Sequence, residues 1–274
     1  MTGFTRRAVL GVVAALGLAL PAAAADEVAR LARALMFPEV VDTLRVEGLA
    51  YGEDIDTDML GGAGGAHFAA QVSEIYDTGR ILATMETKLG EGLTAEEMDA
   101  CLDFLESPVG QRILRLEVTA RDAMTDTEVA DFAKESYAKA EAEGLPRLQL
   151  IARFIEVNAL IDHNVAGALS SNYRFFRGLS DASSEKMSEG EIMDRVWEQE
   201  AEVRRDTVDW MNGFLFMAYG PLSDEEMRAY VDFSETPAGQ SLNKALFAGF
   251  DSAFDRIYYE LGQAAGRVLN SRDI

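Results

Sequence analysis

The 274-residue chain carries 47 acidic against 25 basic side chains, a net charge of −22, and a single cysteine. That balance argues against nucleic acid and anionic lipid surfaces as partners, because phosphate contacts need clustered Lys and Arg, and one cysteine rules out an intramolecular disulfide. His67 and His163 are the two histidines of the chain, so His-rich metal centres and most His-based triads are excluded by count.

Residues 1–25 have the form of an export signal: Arg6 and Arg7 open it, residues 8–20 are an apolar run, and Pro21 leads into Ala22, Ala23, Ala24 and Ala25. The run is too short to span a bilayer, and no later apolar stretch is longer than 211–219, so no transmembrane span is expected once the signal is cleaved. The expected destination is the periplasm by general secretion. Thr5, Arg6 and Arg7 also resemble the twin-arginine type of signal.

From residue 26 onward the apolar spacing is helical, with no strand-like alternation. Phe68, Val72, Ile75, Tyr76, Leu82 and Leu89 share one face, Val129, Phe132, Ala133, Tyr137 and Ala140 a second, and a long stripe runs from Leu242 to Val268 without proline. Glycine-rich and polar stretches at 51–66 and 179–190 read as loops. In the first, Asp54, Asp56 and Asp58 alternate as in a calcium loop, but Met59 stands at the turn glycine and Gly65 at the closing glutamate, so a solvated acidic loop is expected. Gly144, Leu145 and Pro146 read as a helix stop and restart.

Residues 93–111 (LTAEEMDACLDFLESPVGQ) recur at 222–240 (LSDEEMRAYVDFSETPAGQ), a spacing of 129. A second match, Leu31-Ala32-Arg33 through Asp42 on Ile151-Ala152-Arg153 through Asp162, has a spacing of 120, which places extra residues of the second copy in 179–190. The expected organisation is all-α: helical repeat copies at 26–144 and 145–274 packed as a pseudo-symmetric helical bundle. Within each signature, Leu93 or Leu222 is a staple for Met98 or Met227, and Thr94 or Ser223 forms a capping box with Glu97 or Glu226. These exposed first-turn glutamates are expected to keep ordinary ionisation. Ser107-Pro108 and Thr236-Pro237 end one helix and cap the next. Gly110 and Gly239 allow close approach at the corner, Phe104 and Phe233 are expected to plug it, and Gln111 and Gln240 to hydrogen-bond near it.

The Phe-x-x-Ser/Thr-Pro-x-Gly-Gln element after a capped acidic helix resembles domain-of-unknown-function family 2059, a group of small helical bacterial envelope domains. The residues that carry the resemblance are Phe104, Ser107, Pro108, Gly110 and Gln111, and Phe233, Thr236, Pro237, Gly239 and Gln240. Family members often place an aromatic directly after the phenylalanine, where this chain has Leu105 and Ser234. The resemblance implies a helical fold and brings no catalytic residue, cofactor or metal with it.

Function is sought where the copies differ. Residues 26–144 hold 7 aromatics and residues 145–274 hold 16. The helix expected over 197–219 is apolar on every face around Trp210–Met217, so Trp197, Trp210, Phe214, Met217 and Tyr219 are the candidates for binding an apolar small molecule or a protein partner. Cys101 is read as a buried structural thiol. The chain is read as a non-enzymatic exported binding module. The alternative is a periplasmic hydrolase using dispersed carboxylates such as Asp103 and Asp232.

Overall fold

The structure, a computed structural model, describes residues 22–184 and 186–272. Most of the expected export signal, residues 1–21, therefore lies outside the described residues. Those described form helices without a strand, and none of these helices is long and apolar enough to cross a membrane.

The first half runs through α1 (Ala22–Ala34), α2 (Phe37–Asp54), α3 (Gly65–Ile75), α4 (Thr78–Gly92), α5 (Ala95–Leu105), α6 (Pro108–Ala123) and α7 (Thr127–Ala142). The second comprises α8 (Leu148–Val157), α9 (Leu160–Ala182), α10 (Glu189–Glu198), α11 (Glu200–Tyr219), α12 (Asp224–Glu235) and α13 (Pro237–Arg272). Both loops expected from composition are shorter in the fold. Helix α2 passes into a π-turn over Ile55–Met59, and the polar stretch in the second half is helical up to Ala182 and again from Glu189. Nor is Asp56 merely solvated: its carboxylate accepts from the Gly64 and Gly65 amides at 2.7 and 3.1 Å and so caps α3.

The local chemistry of the signature dictates two sharp corners. Thr94 and Glu97 make reciprocal capping bonds at the start of α5, as Ser223 and Glu226 do at α12. Ser107 and Thr236 then cap α6 and α13 through the amides of Gly110 and Gly239 at 3.1 and 3.0 Å. A Cβ on either glycine would lie within 3.0 Å of the carbonyl oxygen of Phe104 or Phe233 and of a neighbouring Cα, so the corner closes only around glycine.

Gln111 and Gln240 act over a longer range than their place at the corner implies. Gln111 donates from Nε2 to Leu105 O at 2.9 Å and to Ala34 O at 3.1 Å, while Gln240 donates to Ser234 O at 2.7 Å and Val157 O at 3.1 Å. Ala34 and Val157 end α1 and α8, just before Met36 (φ 55°) and Ala159 (φ 47°) turn left-handed. Such backbone costs about 1–2 kcal/mol for an L-residue, and each glutamine satisfies a helix-end carbonyl beside it. The two hydrogen-bonded sites are 123 residues apart, three more than the spacing of 120 on which the sequences align. A slip of three leaves the same helix face inward.

The corner phenylalanines differ from expectation. They do not each plug a separate angle but stack on each other, with ring centroids 4.2 Å apart and planes within 5°. The signature glutamates also differ. Glu97 is held below the usual carboxylate range by Ser241 Oγ, which donates to it from α13 at 2.6 Å, and by its cap. Glu226 is lowered by its capping bond to Ser223 and by Arg112.

Two apolar clusters form the core, and neither belongs to one half. The first joins α1–α5 to α13 through residues such as Leu31, Phe68, Met85, Leu242, Ile257 and Leu261. The second joins Ile113 and Ala120 of α6 to α8, α11 and α12. Helix α13, roughly 54 Å long at ~1.5 Å per residue, is the member that crosses. It runs parallel to α9, where Gly178 meets the Tyr259 carbonyl and Gly262 meets that of Phe175. Cys101 is buried with its thiol 3.6 Å from Ala238 O, and desolvation raises it to about 12. Phe132, expected on an inward face of α7, is 67% exposed, whereas Ala133 and Ala140 of that helix are buried.

Candidate functional site: a cleft between the halves

Where α2, α6, α8, α9, α11, α12 and α13 converge, they leave a cleft of about 570 Å³ lined mainly by apolar and aromatic side chains. Leu44, Leu114, Leu246, Phe250 and Phe254 form much of its wall. Tyr230 faces it at the position where the first signature has Cys101. A cavity of ~150 Å³ holds a benzene-sized molecule, so this one accommodates about 20 non-hydrogen atoms.

Sequence reasoning placed the site on the aromatic helix of the second half. Trp210, Phe214 and Tyr219 of α11 do line the cleft. Met217 instead packs against the second core cluster. Trp197 belongs to a separate helix, because the chain breaks at Gln199 between α10 and α11, and its ring is 61% exposed. Nor is Trp210–Met217 buried all round: Trp210, Phe214, Phe216 and Met217 are half-buried. Asp103 and Asp232 are exposed on α5 and α12, and neither lines the cleft.

The residue that sequence reasoning missed is Glu117 of α6. It is half-buried and is one of the residues that line the cleft. Tyr219 Oη donates to Glu117 Oε1 at 2.6 Å. Burial raises Glu117 to about 7, and the hydroxyls of Tyr219 and Tyr230 oppose that rise by stabilising the anion. Both tyrosines are raised well above their ordinary range by burial, with the nearby Glu117 charge adding to it. Their rings, with Phe154, make an aromatic floor: Phe154–Tyr230 centroids are 4.6 Å apart and Phe154–Tyr219 5.6 Å. A readable signal existed. Gly110, Ile113, Leu114 and Ala120 are the buried positions of α6, and Glu117 falls on the same 3–4 spacing, a charge on an apolar stripe.

At one side of the cleft, Arg121 is clasped by Glu47 through two bonds of 2.9 and 2.6 Å. Its guanidinium lies 4.9 Å from the Trp210 ring centroid, and Trp210 stacks on Phe214 at 4.9 Å. His163, which is exposed, stacks on Phe247 at 4.3 Å. Asp251 is raised chiefly by burial and by Asp255, with His163 pulling the other way. The asparagines of the lining and Ser234 are hydrogen-bonded within the fold, whereas among the described residues no such bond involves the hydroxyl of buried Ser171. Asn158 and Asn164 donate to Phe154 O and Leu160 O at 3.0 and 2.7 Å, Asn243 to Asn158 O at 3.0 Å, Asn172 to Gln199 Oε1 at 2.7 Å, and Ser234 to Tyr230 O at 2.8 Å. Among the described residues no group of three or more His, Cys, Asp or Glu side chains comes together as a metal site.

A helical module with an apolar interhelical cleft is the class these features define. Residues 80–135 match the family model described as "Uncharacterized protein conserved in bacteria (DUF2059)". The matched segment takes in the first signature and Glu117, and the second signature lies beyond it. No curated protein and no solved structure matches the chain.

Proposed function

We propose that this protein is an exported, non-enzymatic binding module that holds an apolar small molecule in the cleft between its halves. The observation that carries the reading is the cleft itself, about 570 Å³, with apolar side chains from both halves and aromatic ones almost all from the second, within the size range of small-molecule sites. Export to the periplasm rests on the charged, apolar and alanine-rich order of residues 1–25. The same reading takes 26–144 and 145–274 as diverged copies of one helical unit, supported by the matching corner and glutamine contacts.

A hydrolase needs more than an acid near neutrality. It also needs a nucleophile or an oriented water, and donors for developing negative charge. Glu117 could serve as the acid, but the four lining asparagines and Ser234 already donate to neighbouring carbonyls, and among the described residues no His, Asp or Glu is hydrogen-bonded to Ser171 to activate it, which favours binding over turnover.

The test uses N-phenyl-1-naphthylamine, an uncharged probe that fluoresces in apolar surroundings, on the mature chain and on Ala168→Trp, which adds an indole at a lining position. Saturable one-to-one binding, weakened about tenfold or more by the substitution with unchanged thermal stability, is expected. Absence of saturable binding, or equal affinity in a folded variant, would overturn the reading.

A further inference from the structure

The charges that face the cleft limit what it accepts. Four titratable or charged side chains other than tyrosine line it: Glu117, Arg121, His163 and Asp251. Arg121 already has a counter-ion, because both its contacts to Glu47 are shorter than 3.0 Å, so its charge is largely neutralised within the fold. What remains is Glu117 at the aromatic floor and Asp251 towards the exposed side, with His163 near it. The cleft is therefore negative, within a chain of net charge −22 that draws cations inward.

Glu117 is half-buried, and among the described residues its carboxylate is met by the hydroxyls of Tyr219, at 2.6 Å, and Tyr230. A carboxylate offers about four lone-pair positions, so two donors leave room for more. An isolated buried carboxylate is costly unless a cation joins it. The cleft beside it is lined by aromatic side chains, and aromatic rings attract a cation through their negative centres.

We infer that the cleft takes a hydrophobic amine, its alkyl or aryl body lying along the apolar wall and its protonated nitrogen pairing with the Glu117 carboxylate. This rests on the binding function proposed above. The amine ties Glu117 of α6 to the tyrosines of α11 and α12, so all three elements take part in recognition.

The experiment is calorimetric titration of the mature protein and of Glu117→Gln at pH 8 with octylamine, octan-1-ol and octanoate, each below its self-association concentration. The expected order is octylamine tightest, octanol about tenfold or more weaker, and octanoate weakest. In Glu117→Gln the preference for octylamine over octanol is lost. If octanol binds as tightly as octylamine, or the preference for the amine survives Glu117→Gln, the inference is overturned and the apolar cleft stands. If none of the three binds the wild-type protein, both fall together.

Discussion

Replacing Glu117 by Gln should make the protein more stable above neutral pH and leave it nearly unchanged near pH 5. The magnitude follows from the buried position. Raising a carboxyl from its ordinary 4.5 to about 7 corresponds to about 3 kcal/mol at ~1.4 kcal/mol per tenfold. The sign follows from proton counting. Between these two values the native state holds the proton and the unfolded chain does not, so stability present at low pH is lost as pH rises through about 7. Roughly 2–3 kcal/mol of this falls between pH 5 and pH 8. Glutamine keeps the shape of the side chain and an oxygen to accept from Tyr219, but it has no charge to desolvate. Urea unfolding of both proteins at pH 5 and pH 8 measures the effect as a difference of differences, in which Asp251 and every other titrating group cancel. Parallel stability profiles, with the gap constant to about 0.5 kcal/mol, would show that Glu117 is not desolvated as the fold requires.

Three further outcomes are expected. Gly262→Ala, which in an ordinary helix interior would stabilise by about 1 kcal/mol, should instead destabilise by about 1–3 kcal/mol, because its Cβ would collide with the Phe175 carbonyl and the Leu179 amide of α9; a raised melting temperature would contradict the packing of α9 on α13. Gln240→Ala should lower the urea midpoint by the equivalent of about 1–2 kcal/mol, since it frees the carbonyls of Val157 and Ser234 beside the left-handed Ala159, and an unchanged midpoint would remove that role. Cys101, buried and raised to about 12, has a thiolate fraction at pH 8 of about one in ten thousand. A thiol-reactive dye should label it only after unfolding, and rapid labelling of the native protein would show that α5 is not packed against α13 as described.

Much of the local architecture was legible before any coordinates. Capping boxes at Thr94–Glu97 and Ser223–Glu226, and proline at the first position of α6 and α13, are interactions closed within a few residues. The helical course of 51–59 is not legible in the sequence, because its glycine and acidic residues have the composition of a helix breaker whereas the chain stays helical by widening to a π-turn. Trp197 and Met217 illustrate the other limit. Both are apolar and lie near Trp210 in sequence, yet only helix packing decides which face opens onto a cleft and which meets solvent or core.

By itself, then, the amino-acid order determined the all-α class, the two corners and the apolar character of the α11 region, because each depends on contacts spanning one or two turns. The tertiary structure alone decided that Phe104 stacks on Phe233, that α13 completes the core of the first half, and that Glu117 meets Tyr219 across 102 residues. That last meeting lies at the floor of the candidate cleft. A charge on an apolar stripe is visible in the chain, but its environment is set by the side chains that distant helices bring to it, and these in turn set its ionisation and what it can bind.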